Sequence, residues 1–317
     1  MPKISIITTT YKHEKFIAQA IESVLGQSFA DWELLIGDDN SPDNTFEIAQ
    51  SYADRDSRIR VWRNESNIGI VGNMNMLARY ISPGIEYITF LEGDDVYTSE
   101  NLQLKINVFE KYGDVGFVYS NFIKIDSCSH VIQGGHRHIK EGKMFFSSLD
   151  FLSLGNPIQS FGVVAMRASL WYNILPISTP KGDAVGMYGP LDYWLWADIV
   201  PNRWIYYIDK PIFQYRIHAN NFVKNKAIMN IQFKEIYEAL IIKYREDKAI
   251  VRVCHFFIEN NSMMTAFFSH SAIKVWQHGM KSFFYNQNTF VITRIAVMLA
   301  SFFPWIFIDW LYQKYRQ

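Results

Sequence analysis

The chain has 317 residues, 49% of them apolar and 20% charged, which is enough to bury one large α/β domain with an appendage and excludes a disordered or low-complexity chain. Lys plus Arg and Asp plus Glu each total 31, so no charge excess supports broad capture of nucleic acid or another polyanion. Two cysteines, Cys128 and Cys254, with no CxxC or Cys/His cluster, exclude a disulfide framework and a thiolate zinc site and suit a reducing compartment.

Strand and helix patterns alternate through the first hundred residues, as in a mostly parallel sheet with covering helices. Residues 4–9 form a short apolar run that predicts a buried first strand, too short and wrongly flanked for a signal peptide. Phe16, Ile17, Ala20, Ile21, Val24 and Leu25 then share one helical face. Residues 33–36 predict a second strand that stops at Gly37-Asp38-Asp39-Asn40-Ser41-Pro42-Asp43-Asn44, a cluster of turn and capping residues ahead of a helix running to about Tyr52. A third strand is expected at 59–62, and Asn67-Ile68-Gly69 opens the next helix. Residues 87–91 predict a fourth strand ending at Glu92-Gly93-Asp94-Asp95, and Leu102, Ile106 and Phe109 mark a helix with Thr98 or Ser99 as N-cap. From about Gly116 to Tyr215 the pattern changes to separate strand-like runs at 115–120, 162–166 and 204–208. From about Asn225 the chain is mainly helical, with Lys and Arg scattered among apolar residues.

Carboxylates thus collect where consecutive strands end, which is where open α/β sheets bind ligands. Thr8-Thr9-Thr10-Tyr11 and Asp38-Asp39-Asn40-Ser41 would bring a ring, hydroxyls and a carboxylate together, as a nucleobase requires; turn chemistry and helix capping account for the same residues equally well. Glu92-Gly93-Asp94-Asp95 packs three acids into four residues. Their repulsion calls for a cation or a hydrogen-bond network, and all-oxygen ligands suit Mg²⁺ or Mn²⁺. A solvated acidic turn is the alternative.

Taken together, Ile7-Thr-Thr-Thr-Tyr11, Asp38-Asp39-Asn40-Ser41, Asn67-Ile-Gly69, Phe90-Leu-Glu92-Gly-Asp94-Asp95 and Leu102-Gln-Leu-Lys105 resemble the inverting family-2 glycosyltransferases of the A-type, nucleotide-sugar-binding fold. The resemblance covers roughly residues 1–220. It implies that Thr9, Tyr11 and one of Asp38 or Asp39 hold the base, with Asn67 also on the nucleotide-sugar side. It places Glu92 and Asp94 on the two acidic positions of the DXD motif, the second being the usual metal ligand. Glu92 in place of the first Asp is a departure, although the longer acid still reaches a ribose hydroxyl or a metal-bound water. Met74 is another departure, standing where many relatives carry Arg. Gly189-Pro-Leu-Asp192-Tyr-Trp-Leu-Trp196 resembles the segment carrying the catalytic base, which makes Asp192 the candidate, partly desolvated by Leu191, Trp194 and Trp196. The competing role for Asp192 is helix N-cap. Tyr207-Ile-Asp209-Lys-Pro211 and Tyr215-Arg216-Ile-His218 resemble the closing motif, in which His218 completes a metal shell with Asp94 and Asp95, and Arg216 pairs with the diphosphate or with Asp209.

These residues predict an α/β fold: a Rossmann-like nucleotide-binding domain with a mixed, mostly parallel central sheet, then a mainly helical C-terminal region. The expected division is a catalytic domain at 1–224, donor half about 1–115 and acceptor half about 116–224, followed by helices at 225–317. The expected activity is metal-dependent transfer of a sugar, with inversion, from a nucleotide diphosphate sugar, UDP-linked on family grounds, to a glycan or polyprenyl-diphosphate-linked oligosaccharide in bacterial surface polysaccharide or glycoconjugate synthesis. Loops at 156–161 and 180–189 would set the choice of sugar. Residues 295–308 are apolar for about 14 residues, against roughly 20 for a bilayer span. Pro304 breaks the run, and Trp305, Trp310 and Tyr312 are the aromatics that an interfacial helix would set at headgroup level. An interfacial helix holding a cytoplasmic enzyme on the inner membrane face and a helix packed on the domain both fit. A non-catalytic carbohydrate-binding or scaffold protein of the same fold is the main alternative. A nucleotidyltransferase or a dinucleotide oxidoreductase would need a Gly-rich loop after the first strand, and Thr10-Tyr-Lys-His-Glu14 contains no Gly.

Overall fold

A computed structural model describes residues 1–134, 140–183, 186, 188–219, 221, 226–268 and 277. The chain divides into two compact units, Met1–Ser147 with Asn156–Lys224, and Ser148–Gly155 with the chain from Asn225.

The first unit is built on a ten-stranded mixed sheet: β1 (Ile4–Thr10), β2 (Trp32–Asp38), β3 (Ile59–Arg63), β4 (Tyr87–Phe90), β5 (Val96–Tyr97), β6 (Val115–Ile125), β7 (Val131–Gln133), β8 (Gly142–Phe146), β9 (Val164–Arg167) and β10 (Arg203–Arg216). The main path runs β3-β2-β1-β4-β9-β6-β10-β5, with β7 on β6 and β8 on β10. β3, β2, β1 and β4 are mutually parallel. Antiparallel β9 bridges β4 to β6, and β10 runs parallel to β6. β1 and β2 are buried along almost their whole length, which is why they read as unbroken apolar runs. Strand order advances outward from β1 to β3 and then returns to β4 on the other side of β1. That reversal leaves a crevice beyond the carboxyl ends of β1 and β4, the place where such sheets bind ligands.

Helices α1 (Ile17–Leu25), α2 (Thr45–Ala53), α3 (Gly69–Ala78) and α4 (Asn101–Lys111) follow the early strands. α1 buries Ile17, Ala20, Ile21 and Val24, the face its spacing predicts. Neither Thr98 nor Ser99 caps α4 with its side chain. Glu100 holds the cap position, and the Leu102 amide donates to Gln27 Oε1 at 3.0 Å, so a residue 75 positions away satisfies the helix start. The closing strand is longer than the predicted 204–208, because Pro211 interrupts the sequence pattern without ending the strand. Register shifts on either side of Pro211 accommodate its missing N–H. α6 (Ala168–Tyr172) and α7 (Leu191–Ile199) complete this unit.

The second unit contains α5 (Ser148–Ser153), α8 (Lys226–Lys243) and α9 (Lys248–Phe268). Its described core holds Phe151, Leu152, Ile236, Tyr237, Leu240, Ile250 and Cys254, with Tyr237 stacked on Phe257 at 5.2 Å between ring centroids. No helix among the described residues is long and apolar enough to cross a membrane. The apolar segment at 295–308 lies outside the described residues.

Candidate active site

Both ends of the crevice are held by close backbone approach. At the end of β2, Asp38 is wholly buried: its Oδ2 accepts the Ser41 amide at 2.9 Å, and its Oδ1 has no hydrogen-bond partner among the described residues. Burial raises its pKa, opposed by the bonds from Ser41 and the charge of Arg63. Asp39 faces the start of α3. Its Oδ1 accepts Asn64 Nδ2 at 3.0 Å and the Ile68 amide at 2.9 Å, and its Oδ2 accepts the Gly69 amide at 2.8 Å. This gives the Asn67-Ile-Gly69 sequence a structural reason: Gly69 has φ of 74°, and a Cβ there would lie 2.1 Å from the Gly186 carbonyl carbon. Asn67 itself is exposed. Tyr11 is also exposed, at 36%, with Lys12 Nζ 4.9 Å from its ring centroid. Thr9 lies between them at the end of β1, where its carbonyl accepts the Gly93 amide.

At the end of β4, Gly93 lets the acidic turn close against β1. A Cβ there would fall 2.5 Å from Thr10 Oγ1 and 2.8 Å from His13 Nδ1. Asp94 Oδ2 then lies 2.9 Å from His218 Nε2 and 4.0 Å from His13 Nε2, and one donor atom from each of the three residues lies within 4.8 Å of the others. Burial works against ionisation of Asp94, but the charge of His13 and the hydrogen bond and charge of His218 outweigh it and hold the carboxyl below its ordinary value. Burial lowers the pKa of His13 against the opposing pull of the Asp94 charge. Burial, then the Asp94 charge, lifts Glu92 to about 7, and its Oε2 is buried with no partner among the described residues. Donor set and orphaned oxygen together fit a small divalent cation here.

Asp192 lies in the first turn of α7 rather than at its N-cap, which is Pro190, and is 8% exposed. Its Oδ2 accepts the Ser160 amide at 2.9 Å and its Oδ1 the Tyr193 amide at 2.7 Å. Burial raises its pKa to about 6 despite those bonds. Ser160, at the left-handed φ of 76°, also sets its hydroxyl 3.5 Å from Glu92 Oε1, which accepts the Phe161 amide at 3.3 Å. Residues 160 and 161 therefore tie Asp192 to Glu92.

Two predicted site residues are placed elsewhere. Asp95 is fully buried, its Oδ1 accepts the Arg216 backbone amide at 2.7 Å, and burial raises its pKa well above the ordinary value, so it stands outside the His13–Asp94–His218 group. The Arg216 guanidinium reaches neither Asp209 nor open solvent. It donates to the Asp94 carbonyl (2.7 Å), the Asp126 carbonyl (3.0 Å), Ser129 Oγ (3.0 Å) and Gln19 Oε1 (2.6 Å), while Asp209 pairs with Asn121 and Tyr207. Sequence reasoning missed His13 and Ser160. His13 was visible only as part of a loop lacking Gly, and Ser160 belongs to no motif. Met74 is buried, and the neighbouring Asn75 exchanges two 2.8 Å hydrogen bonds with the Ile177 backbone.

The carboxylate-imidazole cluster after β4, joined through Glu92 to the desolvated carboxylate of Asp192, makes this part of an α/β sheet the candidate active site. Residues 5–174 match the family described as Glycosyl transferase family 2, and the chain belongs to it: it is a glycosyltransferase of the A-type fold. It is 30% identical, over 74% of its length and 82% of the relative's, to the UDP-Glc:alpha-D-GlcNAc-diphosphoundecaprenol beta-1,3-glucosyltransferase WfgD of Escherichia coli. It is 29% identical, over 55% of its length and 60% of the relative's, to a GalNAc(5)-diNAcBac-PP-undecaprenol beta-1,3-glucosyltransferase of Campylobacter jejuni. Among solved structures, S. aureus TarS 1–349 in complex with UDP-GlcNAc shares the fold, with a TM-score of 0.65 and 15% identity over 94% of this chain and 91% of that one.

Proposed function

We propose that the chain transfers a hexose from a UDP-sugar to a hydroxyl of an undecaprenyl-diphosphate-linked oligosaccharide, with inversion and with a divalent cation, in bacterial surface-glycan synthesis. The observation that carries this reading is the pairing of a carboxylate poised near neutrality, Asp192, with the His13–Asp94–His218 cluster across Glu92. Support for donor and acceptor comes from the Escherichia coli and Campylobacter jejuni relatives, whose names specify glucosyl transfer and undecaprenyl-linked acceptors.

In this reading Tyr11 stacks on the base, Thr9 and Asp39 line its edge, and the wholly buried Asp38 shapes the turn beneath them. Asp94 and His218 would hold the cation, which when bound supplies positive charge to the departing diphosphate. Asp192 accepts the acceptor hydroxyl's proton as that oxygen attacks the anomeric carbon from the face opposite the diphosphate. Glu92, bound to the same loop as Asp192, orients the ribose or a water of the cation. Arg216 acts through Asp94, fixing its carbonyl and the β6–β7 turn rather than touching phosphate. Residues 1–224 apart from 148–155 form the catalytic domain, and the apolar segment at 295–308 holds the enzyme at the inner membrane face. Deleting the chain from about residue 291 should release the protein from membrane fractions.

The test is a transfer assay with a panel of UDP-hexoses and a polyprenyl-diphosphate oligosaccharide. Wild-type enzyme should label the lipid with one donor and lose activity in EDTA. Asp192→Asn should abolish transfer while calorimetry shows unchanged UDP binding; equal loss of binding would overturn the base assignment. Activity that persists undiminished in EDTA would overturn metal dependence.

A further inference from the structure

Resting on the metal-dependent reading above, we propose that His13 is a cation ligand, making the site a two-imidazole, one-carboxylate centre that selects Mn²⁺ or another first-row transition ion over Mg²⁺.

The argument starts at the end of β1. Lys12 adopts the left-handed φ of 60° and the His13 amide donates to Thr45 Oγ1 at 2.8 Å, which turns the His13 side chain back toward the acidic turn after β4. Thr10 Oγ1 lies 3.1 Å from His13 Nδ1. With Nδ1–H donating to that hydroxyl, the Nε2 lone pair is left facing Asp94 Oδ2 at 4.0 Å. An oxygen acceptor on the far ring nitrogen is how a ligating histidine is ordinarily oriented. His218 presents its own Nε2 to the same oxygen at 2.9 Å, and the two imidazoles meet edge to face with centroids 6.2 Å apart. Two donors bound to one ion at about 2.1 Å each stand at most about 4.2 Å apart. The two imidazole-to-carboxylate separations lie within that limit, and all three donor atoms lie within 4.8 Å of one another. Asp95 is taken by the Arg216 amide and Glu92 Oε1 by the Phe161 amide, and neither acid belongs to the group of three donors.

Ligand chemistry then decides the metal. Mg²⁺ requires oxygen donors in near-ideal octahedral geometry, and imidazole favours later first-row ions. A site with two nitrogens and one carboxylate oxygen therefore discriminates against Mg²⁺ more than the expected shell of Asp94, Asp95 and His218, which has a single nitrogen.

The experiment uses the full chain with Mn²⁺ alone, read by pulsed electron paramagnetic resonance, and with Mn²⁺ or Mg²⁺ by calorimetry. The wild-type spectrum should carry imidazole ¹⁴N modulation from two nitrogens, and His13→Gln should reduce it to one. Calorimetry should show Mn²⁺ bound at least about 100-fold tighter than Mg²⁺, a gap that falls to about 10-fold in His13→Gln; Thr10→Val should weaken Mn²⁺ by about 10-fold through loss of the Nδ1 partner. The wild-type nitrogen count needs no variant, so a misfolded His13→Gln protein does not remove the test. Mn²⁺ bound with one coupled nitrogen or none overturns the role of His13 and leaves metal dependence standing. No Mn²⁺ bound at all overturns both.

Discussion

The sheet carries two acidic turns of similar sequence, Asp38-Asp39 after β2 and Glu92-Gly93-Asp94-Asp95 after β4, and they have different physical fates. After β2 fixed N–H groups hold three of the four carboxylate oxygens. Asp39 accepts three N–H groups from Asn64, Ile68 and Gly69, while Asp38 takes the Ser41 amide on one oxygen and buries the other without a partner among the described residues. After β4 donors run short. Asp94 leans on two imidazoles, Glu92 keeps a buried oxygen without a partner among the described residues, and only Asp95 is absorbed by backbone. A carboxylate pair at a strand end is therefore architecture where fixed amides match its lone pairs, and chemistry where they do not.

The largest effect should come from Asp192, the acid joined to the β4 side through Ser160 and Phe161. Asp192→Asn should lower transfer by at least about 10³-fold, as loss of a general base does. The same change should remove the pH dependence that Asp192 gives the stability of the fold. Burial raises the folded pKa of Asp192 to about 6, above its ordinary 3.8. The protonated group is therefore at ease in the folded state below about pH 4, and that advantage is lost as pH rises through 6, where a charge must be buried. The neutral amide avoids that cost but offers only one acceptor to the Ser160 and Tyr193 amides, so relative to wild type the variant should fare on the order of 2 kcal/mol better at pH 7.5 than at pH 4. Thermal unfolding at the two pH values measures it; an equal change in midpoint at both would place Asp192 with the architectural acids. In the wild type, transfer should fall as pH drops below about 6.

A paired substitution attacks the contrast directly. Asp39→Ala removes the acceptor of three partly buried N–H groups and should cost about 2–4 kcal/mol of stability, with or without Mn²⁺. Asp94→Asn keeps the shape and a hydrogen-bond partner for His218, so it should cost less than about 1 kcal/mol, while abolishing the rise in melting temperature that Mn²⁺ gives the wild type. Equal destabilisation by both would erase the distinction between the turns.

Much of this was legible beforehand because it rests on local pattern. The apolar runs of β1, β2 and β4 and the spacing in α1 report burial directly, and the acidic turns follow from where those runs stop. Three kinds of feature were hidden. Strand β10 continues through Pro211 because a register shift, invisible in sequence, removes the need for its amide. The start of α4 is satisfied by Gln27, a tertiary contact that replaces the expected Thr98 or Ser99 cap. At the site, residue type identified Asp94, Asp192 and His218, but it could not say that Asp95 and Arg216 are consumed by each other and by carbonyl groups, nor that His13 turns inward. Lys105 belongs to the same class. Its Nζ is buried among Thr89 Oγ1 and the Gly162 and Val164 carbonyls, so the Leu102-Gln-Leu-Lys105 run anchors the strand that follows the Ser160 loop.

The smallest effect tests whether that loop joins the two acids through its hydroxyl or through its backbone. Ser160 adopts φ of 76°, where a Cβ costs about 1 kcal/mol that glycine avoids. Both Ser160→Ala and Ser160→Gly retain the amide that binds Asp192 and lose the hydroxyl near Glu92. If the hydroxyl matters to the reaction, both variants should lose the same roughly 3–10-fold in kcat, the equivalent of one modest hydrogen bond. The two should still differ by about 1 kcal/mol in stability, glycine being the more stable. An alanine variant with wild-type kcat would leave the amide as the sole functional link. A glycine variant much slower than alanine would show that the strained backbone, held by its Cβ against alternative conformations, keeps Asp192 and Glu92 in register.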